Sequence, residues 1–259
     1  MLKVLCIGDV VGKNSCEFLQ NNLSNIKRKH NIDVVIANGE NSADGNGITP
    51  YSANQLFGAG VDIITGGNHS LKRKEVYDYL ETNPYITVPY NIVDNDIGQA
   101  ISVYDMGPYK LAVINLCGTV YMDHTSSAFE SADILIDKVK DLGAKIIIVD
   151  FHAEATSEKR ALGLYLDGKI SAFFGTHTHI PTADLSILPN GTGYITDLGM
   201  CGPDDSVLGV ESSIIINRFK GVSFDKFVTP KNPTIFNACI FSIDTKTGKT
   251  IKCEQIILK

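Results

Sequence analysis

The feature that most restricts this chain is a set of short, nearly unbroken apolar runs rich in Val and Ile, at residues 3–7, 33–37, 61–65 and 145–150. Runs without polar alternation suit parallel strands buried on both faces. Helical patterns lie between them. One covers 14–29 and another 127–142, where Ala128, Ala132, Leu135, Val139 and Leu142 recur at helical spacing and Gly143 stands at a C′ position. Thr156 is placed to cap a helix over 157–167, with Glu158 in its first turn and Gly168 beyond its end. The C-terminal third differs: 183–188, 192–197, 211–217, 237–243 and 250–258 read as strands with few helices between them. Thr247, Gly248 and Lys249 mark one hairpin turn, and 100–105 with 110–116 form a second hairpin. The expected architecture is α/β: two packed mixed sheets with helices outside, in a single domain over residues 1–259.

Composition excludes several classes. Apolar content of 44% with 20% charged residues fits a folded globular chain. No apolar stretch approaches the roughly 20 residues that span a bilayer, and MLKVLCIGDVVG reads as a first strand, so a cytoplasmic protein is expected. The six cysteines are dispersed with no CxxC pair and read as reduced, buried thiols. A net charge of −6, without basic runs or interleaved aromatics, argues against a stable nucleic-acid complex. Small nucleotides remain compatible, since bound cations can supply positive charge.

Chemistry collects where the apolar runs end. Asp9 follows VLCIG, Glu40 and Asn41 follow VVIANG, and Asn68 and His69 follow IITGG. His152 follows IIIVDF, and His177 and His179 follow AFFGT. Parallel strands deliver their C-terminal ends to one edge, so these distant residues are expected to converge there. Each has a plainer reading. Asp9 could cap a helix or bind a ribose, and GDVVG could suggest a phosphate loop, although it lacks the GxGxxG spacing of dinucleotide folds and the GK[ST] ending of a P-loop. Glu40 could be a solvated turn residue, Asn68 a helix cap and His152 a hydrogen-bonded core histidine. His177 and His179, at i and i+2, would share a face of extended chain. Taken jointly, two carboxylates, two carboxamides and several imidazoles predict a dinuclear metal site. Such a site suits Fe, Mn or Zn better than Ca or Mg. His30 and His124 lie outside the pattern and are expected at the surface.

GDVVG, NGEN, GGNH, FHAEATSEK, GTHTH and YITDLGMCGPDDSVLGV together closely resemble the YmdB-like branch of the calcineurin-type metallophosphoesterases, over roughly residues 1–218. The resemblance implies a four-layer α/β/β/α sandwich, two iron or manganese ions (with zinc also accepted), and hydrolysis of phosphodiesters such as 2′,3′-cyclic nucleotides. It implies that Asp9, Asn41 and His179 hold one ion, that Asn68, His152 and His177 hold the other, and that Glu40 bridges them. His69 would be the proton donor. A homo-oligomer is a family-level expectation. The wider superfamily has a histidine where Val11 stands and an aspartate where Glu40 stands, and both departures match this branch. Thr119 and Pro181 replace an arginine and a glutamine of the family pattern, which implies that the loop 118–127 covers the site differently. The expected scheme is hydrolytic: two cations would supply Lewis acidity to water and to the phosphoryl oxygens, and His69 would protonate the leaving oxygen. The alternatives are a phosphomonoesterase or nuclease on the same centre, and a nucleotide-responsive regulatory protein with incidental turnover.

Overall fold

The structure, a computed structural model, describes residues 1–44 and 46–259. In chain order its first half contains β1 (Leu2–Ile7), β2 (Asp9–Val10), α1 (Gly12–His30), β3 (Val34–Asn38), α2 (Pro50–Ala59), β4 (Ile63–Thr65), α3 (Tyr77–Thr82), β5 (Ile101–Asp105) and β6 (Lys110–Cys117). The second half contains α4 (Ala128–Asp141), β7 (Ile146–His152), α5 (Thr156–Tyr165), β8 (Ala172–Thr176), β9 (Ser186–Ile187), β10 (Gly193–Ile195), β11 (Met200–Pro203), α6 (Ser212–Phe219), β12 (Thr234–Ile243) and β13 (Thr250–Leu258).

These strands form two mixed sheets. In the first, β1, β3 and β4 run parallel, and β12 lies antiparallel to β1. The other edge of β12 pairs with β13 through the hairpin that the Thr247–Lys249 turn signalled. In the second, β6, β7, β8 and β10 run parallel, flanked by antiparallel β5 and β9. The two-residue period of a strand explains how both faces bury apolar groups. In β1, Leu5 and Ile7 pack with Leu19, Leu23 and Leu56 of α1 and α2. Val4 and Cys6 face the other way, into a core shared with Val113, Ile148 and Phe174 of the second sheet. The far face of the second sheet is covered by Leu135 and Val139 of α4 and Leu162 of α5. The layers are therefore helix, sheet, sheet, helix, as expected.

Helix ends follow local chemistry. Asn31 closes α1 in a left-handed conformation (φ 53°), and Lys27, Arg28, Lys29 and His30 fill the last turn, where cations offset the helix dipole. Gly143 takes φ 76° just past α4, fulfilling its C′ expectation. Two expectations need correction. Helix α5 starts at Thr156 itself after Ala155, so the Thr156 hydroxyl is not its cap. Residues 211–217 are not a strand: Ser212–Phe219 is a helix that buries none of its residues. Three consecutive isoleucines suggested a strand, but β11 already occupies the sheet position beside β12, and Glu211 N–H is bonded to Val228 O instead. Helix α2 was not anticipated, although Thr49 caps it and Pro50 opens it.

All six cysteines are free and five are buried. Burial pushes the Cys16 thiol up to about 12 and Cys253 to about 11. Among the described residues no helix is long and apolar enough to cross a membrane.

Candidate metal centre

All eight singled-out residues meet at one end of the two sheets. Glu40 and Asn41 sit in the turn after β3, and Asn68 and His69 in the turn after β4. Glycines make this approach possible: a Cβ on Gly67 would lie 2.4 Å from Glu40 Oε2 and 2.5 Å from the His152 ring. Asn41 Nδ2 donates to Glu40 Oε1 at 2.8 Å, while the backbone N–H of His69 donates to Glu40 Oε2 at 2.8 Å. His69 Nδ1 lies 3.3 Å from Glu40 Oε1. His177 N–H donates to Asp9 Oδ2 at 3.0 Å, and His179 Nε2 is 3.6 Å from Asp9 Oδ1.

One correction concerns the last pair. His177 and His179 do not sit on extended chain; both have positive φ, 99° and 64°. Non-glycine residues take this conformation at an energetic cost and need support. Support comes from Asp197, whose Oδ2 accepts the N–H of Thr178 between them and the ammonium of Lys159 at 2.6 Å. Lys159 and Asp197 are both buried. Removing one partner of a buried pair strands the other charge. Lys159→Met should therefore cost about 3–5 kcal/mol of stability, read as a lower urea midpoint; a midpoint equal to wild type would show that the pair is dispensable.

Each imidazole has one nitrogen tied outward. His152 Nδ1–H donates to Thr176 Oγ1 at 3.0 Å, which in turn donates to Asp150 Oδ1 at 2.7 Å. His177 Nε2 lies 3.1 Å from Glu154, and His179 Nδ1 donates to Leu208 O at 2.9 Å. The remaining nitrogens, His152 Nε2, His177 Nδ1 and His179 Nε2, turn inward. His152 Nε2 faces three acceptors: Asn68 Oδ1 at 2.9 Å, His177 Nδ1 at 3.0 Å and Glu40 Oε1 at 3.3 Å. One N–H cannot serve three acceptors. Asp9 Oδ1 and Asn41 Oδ1 are buried without any partner. This surplus of inward lone pairs is what a bound cation would satisfy, and Glu40, His152 and His177 already place ligand atoms within 4.8 Å of one another.

Titration behaviour agrees. Burial opposes charge on His152, yet Glu40, Asp9 and Asp150 raise it to about 9. Burial and the charge on His152 push His177 down to about 4. Burial would raise Glu40, but His152 and His69 hold it well below the usual carboxylate range.

A supporting layer lies beneath, unrecognised from sequence. Asp150, raised to about 6 by burial, accepts from Thr65, Thr176 and Asn38. Asn115 bonds both polar groups of Gly66. An aspartate inside the apolar run IIIVDF was the available signal, because a buried carboxylate needs donors. His124 is exposed, in a second cavity that Asn68 and His177 also line, and His30 is half-buried beside Glu254. Thr119 donates to Glu158, and Pro181 packs on Gly199, so neither substituted position contributes a group to the cluster.

Two facing mixed sheets with this cluster at their common end define a metallophosphoesterase-like fold. A putative 5′-nucleotidase from Staphylococcus aureus shares that fold at TM-score 0.58 and 16% identity, covering 98% of this chain and 54% of the other. The chain belongs to the family of YmdB-like proteins, whose model matches residues 5–256. It is 40% identical over 257 residues to a 2′,3′-cyclic-nucleotide 2′-phosphodiesterase of Bacillus subtilis, covering 99% of this chain and 97% of the relative. A solved structure described as a novel phosphatase, from Mycoplasma pneumoniae, superposes at TM-score 0.93 with 37% identity, covering 99% of this chain and 93% of the other.

Proposed function

We propose that this protein is a metal-dependent phosphodiesterase acting on small phosphodiesters, with 2′,3′-cyclic nucleotides as the favoured class. The observation that carries the reading is the crowding of acceptors around His152 Nε2, together with the unpartnered oxygens of Asp9 and Asn41. Asp9, Asn41 and His179 would hold one ion, Asn68, His152 and His177 the other, and Glu40 both. The N and O donor set suits Fe or Mn, and Zn as well. When bound, such a pair supplies Lewis acidity towards water and towards the phosphoryl oxygens.

The chain's own residues do the remainder. Thr176, Glu154 and the Leu208 carbonyl fix which nitrogen of each histidine points inward. Using carboxamides at Asn41 and Asn68 limits the negative charge, so an anionic substrate meets a positive centre. His69 lines the adjoining cavity, and with Nδ1 turned to Glu40 its Nε2 is the nitrogen that would hand a proton to the departing ribose oxygen. Glu154→Gln should weaken metal binding about ten-fold, since an outer partner of a ligating histidine is lost. Competition against a chelator measures this; unchanged affinity would remove Glu154 from the scheme.

The direct experiment is metal analysis of freshly purified protein. Hydrolysis of 2′,3′- and 3′,5′-cyclic nucleotides, p-nitrophenyl phosphate and short RNA is then compared before and after chelation. The expected result is two equivalents of Fe or Mn and turnover of the 2′,3′-cyclic class that chelation abolishes. A two-metal protein inert towards every phosphodiester would overturn the proposal. The phosphatase description of the Mycoplasma pneumoniae structure favours a second reading, a phosphomonoesterase on the same centre. Preference for p-nitrophenyl phosphate in the same panel would select it.

A further inference from the structure

We infer that the apolar wall beside the metal-type cluster is a seat for the aromatic base of a mononucleotide, with Phe227 as its stacking platform; this rests on the phosphodiesterase reading above. The cavity that contains Glu40, Asn41, His69 and His179 has a volume of about 260 Å³ and is also lined by Val11, Leu208, Val210, Phe227 and Val228. A phosphoester alone has no use for five apolar side chains. A substrate whose anionic end enters the cluster and whose flat apolar end lies on the wall uses both halves. The volume lies just below the usual range of small-molecule sites, about 300–1,000 Å³, which suits one nucleoside rather than a strand.

Phe227 is built for this role. It is 44% exposed, and the guanidinium of Arg218 lies over its ring at 4.4 Å. Arg218 is not among the cavity-lining residues, whereas Phe227 lines both this cavity and the neighbouring one formed with Lys13, Asp44 and Lys231. The platform is also anchored. Arg218 Nη2 donates to Asp225 O at 2.9 Å, and Glu211 N–H bonds Val228 O at 2.8 Å. Leu208, another part of the wall, offers its carbonyl to His179 and so fixes the wall relative to the cluster. A ring with a cation behind it stacks well on an electron-rich heterocycle, and such stacking tolerates any base.

The test compares 2′,3′-cyclic AMP with glycerol 1,2-cyclic phosphate, which carries the same cyclic phosphodiester without a base. Phe227→Ala should raise KM for the nucleotide roughly ten-fold, leave kcat unchanged and leave the glycerol ester unaffected. Phe227→Tyr should behave as wild type. Phe227→Leu preserves apolar bulk without a ring, and should show the same selective KM rise should the alanine variant fold poorly. Tyr121→Ala is the control, because Tyr121 lines a second cavity, shared with Asn68 and His177, that Phe227 does not line. Equal losses on both substrates, no loss on either, or a selective loss in Tyr121→Ala alone would overturn the inference. Wild-type protein that hydrolyses both substrates with equal kcat/KM would sink this inference alone. Hydrolysis of neither would remove the phosphodiesterase reading and this one with it.

Discussion

Glu40→Gln should yield a folded protein that has lost both tight metal binding and phosphodiesterase activity. The carboxylate is buried, accepts from Asn41 Nδ2 and His69 N–H, and lies 3.3 Å from His152 Nε2. Glutamine fills the same space but brings an amide donor and no charge. Even an outer partner of a ligand is worth about 10–100-fold in metal affinity, so loss of the carboxylate proposed to bridge both ions should exceed about 100-fold. Activity at micromolar metal should fall below detection. The substitution removes the first of three carboxylates that raise His152, so the imidazole can release its proton rather than stay buried and unpaired, and the fold should persist at a stability cost. Metal content by elemental analysis and turnover of 2′,3′-cyclic AMP provide the two readings. An active variant with two bound ions would refute the bridging role.

His69→Ala should separate the two properties. The hydrogen bond that His69 makes to Glu40 Oε2 comes from the main-chain N–H and survives the substitution. Metal content should therefore stay at the wild-type level. What disappears is the ring beside the cavity, and general acid catalysis contributes about 10²–10⁴-fold. The loss should appear with a ribose leaving group and shrink with p-nitrophenolate, which departs without a proton. Full activity of His69→Ala on a cyclic nucleotide would remove the proton donor from the scheme.

The legible part of this protein was its repetition. Strands buried on both faces leave a signature of Val and Ile that no helix boundary obscures, and each such run ended on a polar residue whose position the parallel topology then determined. Glycines before Glu40 and Asn68 signalled tight backbone approaches, and Gly67 indeed leaves room for Glu40 and His152. The sequence could not show which side chains would become supports. Lys159 and Asp197 lie in FHAEATSEK and YITDLGM, but their pairing depends on helix α5, which follows β7, and the turn after β10 meeting at the same end of the second sheet. Thr65, Thr176 and Asn38 each look unremarkable alone and acquire a role only when both sheets are stacked around Asp150. The misread segment 211–217 failed for a related reason. Branched residues suggest a strand, but pairing needs a vacant edge, and β11 had taken it.

The two-sheet construction has one further consequence. Asp9, Glu40, Asn41, Asn68 and His69 belong to ends of the first sheet, whereas His152, His177 and His179 belong to the second. An ion gripped from both sides acts as a rivet through the seam, so loading it should tighten the whole body rather than one loop. Melting temperature should then climb with free metal concentration, and amide exchange should slow along the inter-sheet faces of β3 and β7 together.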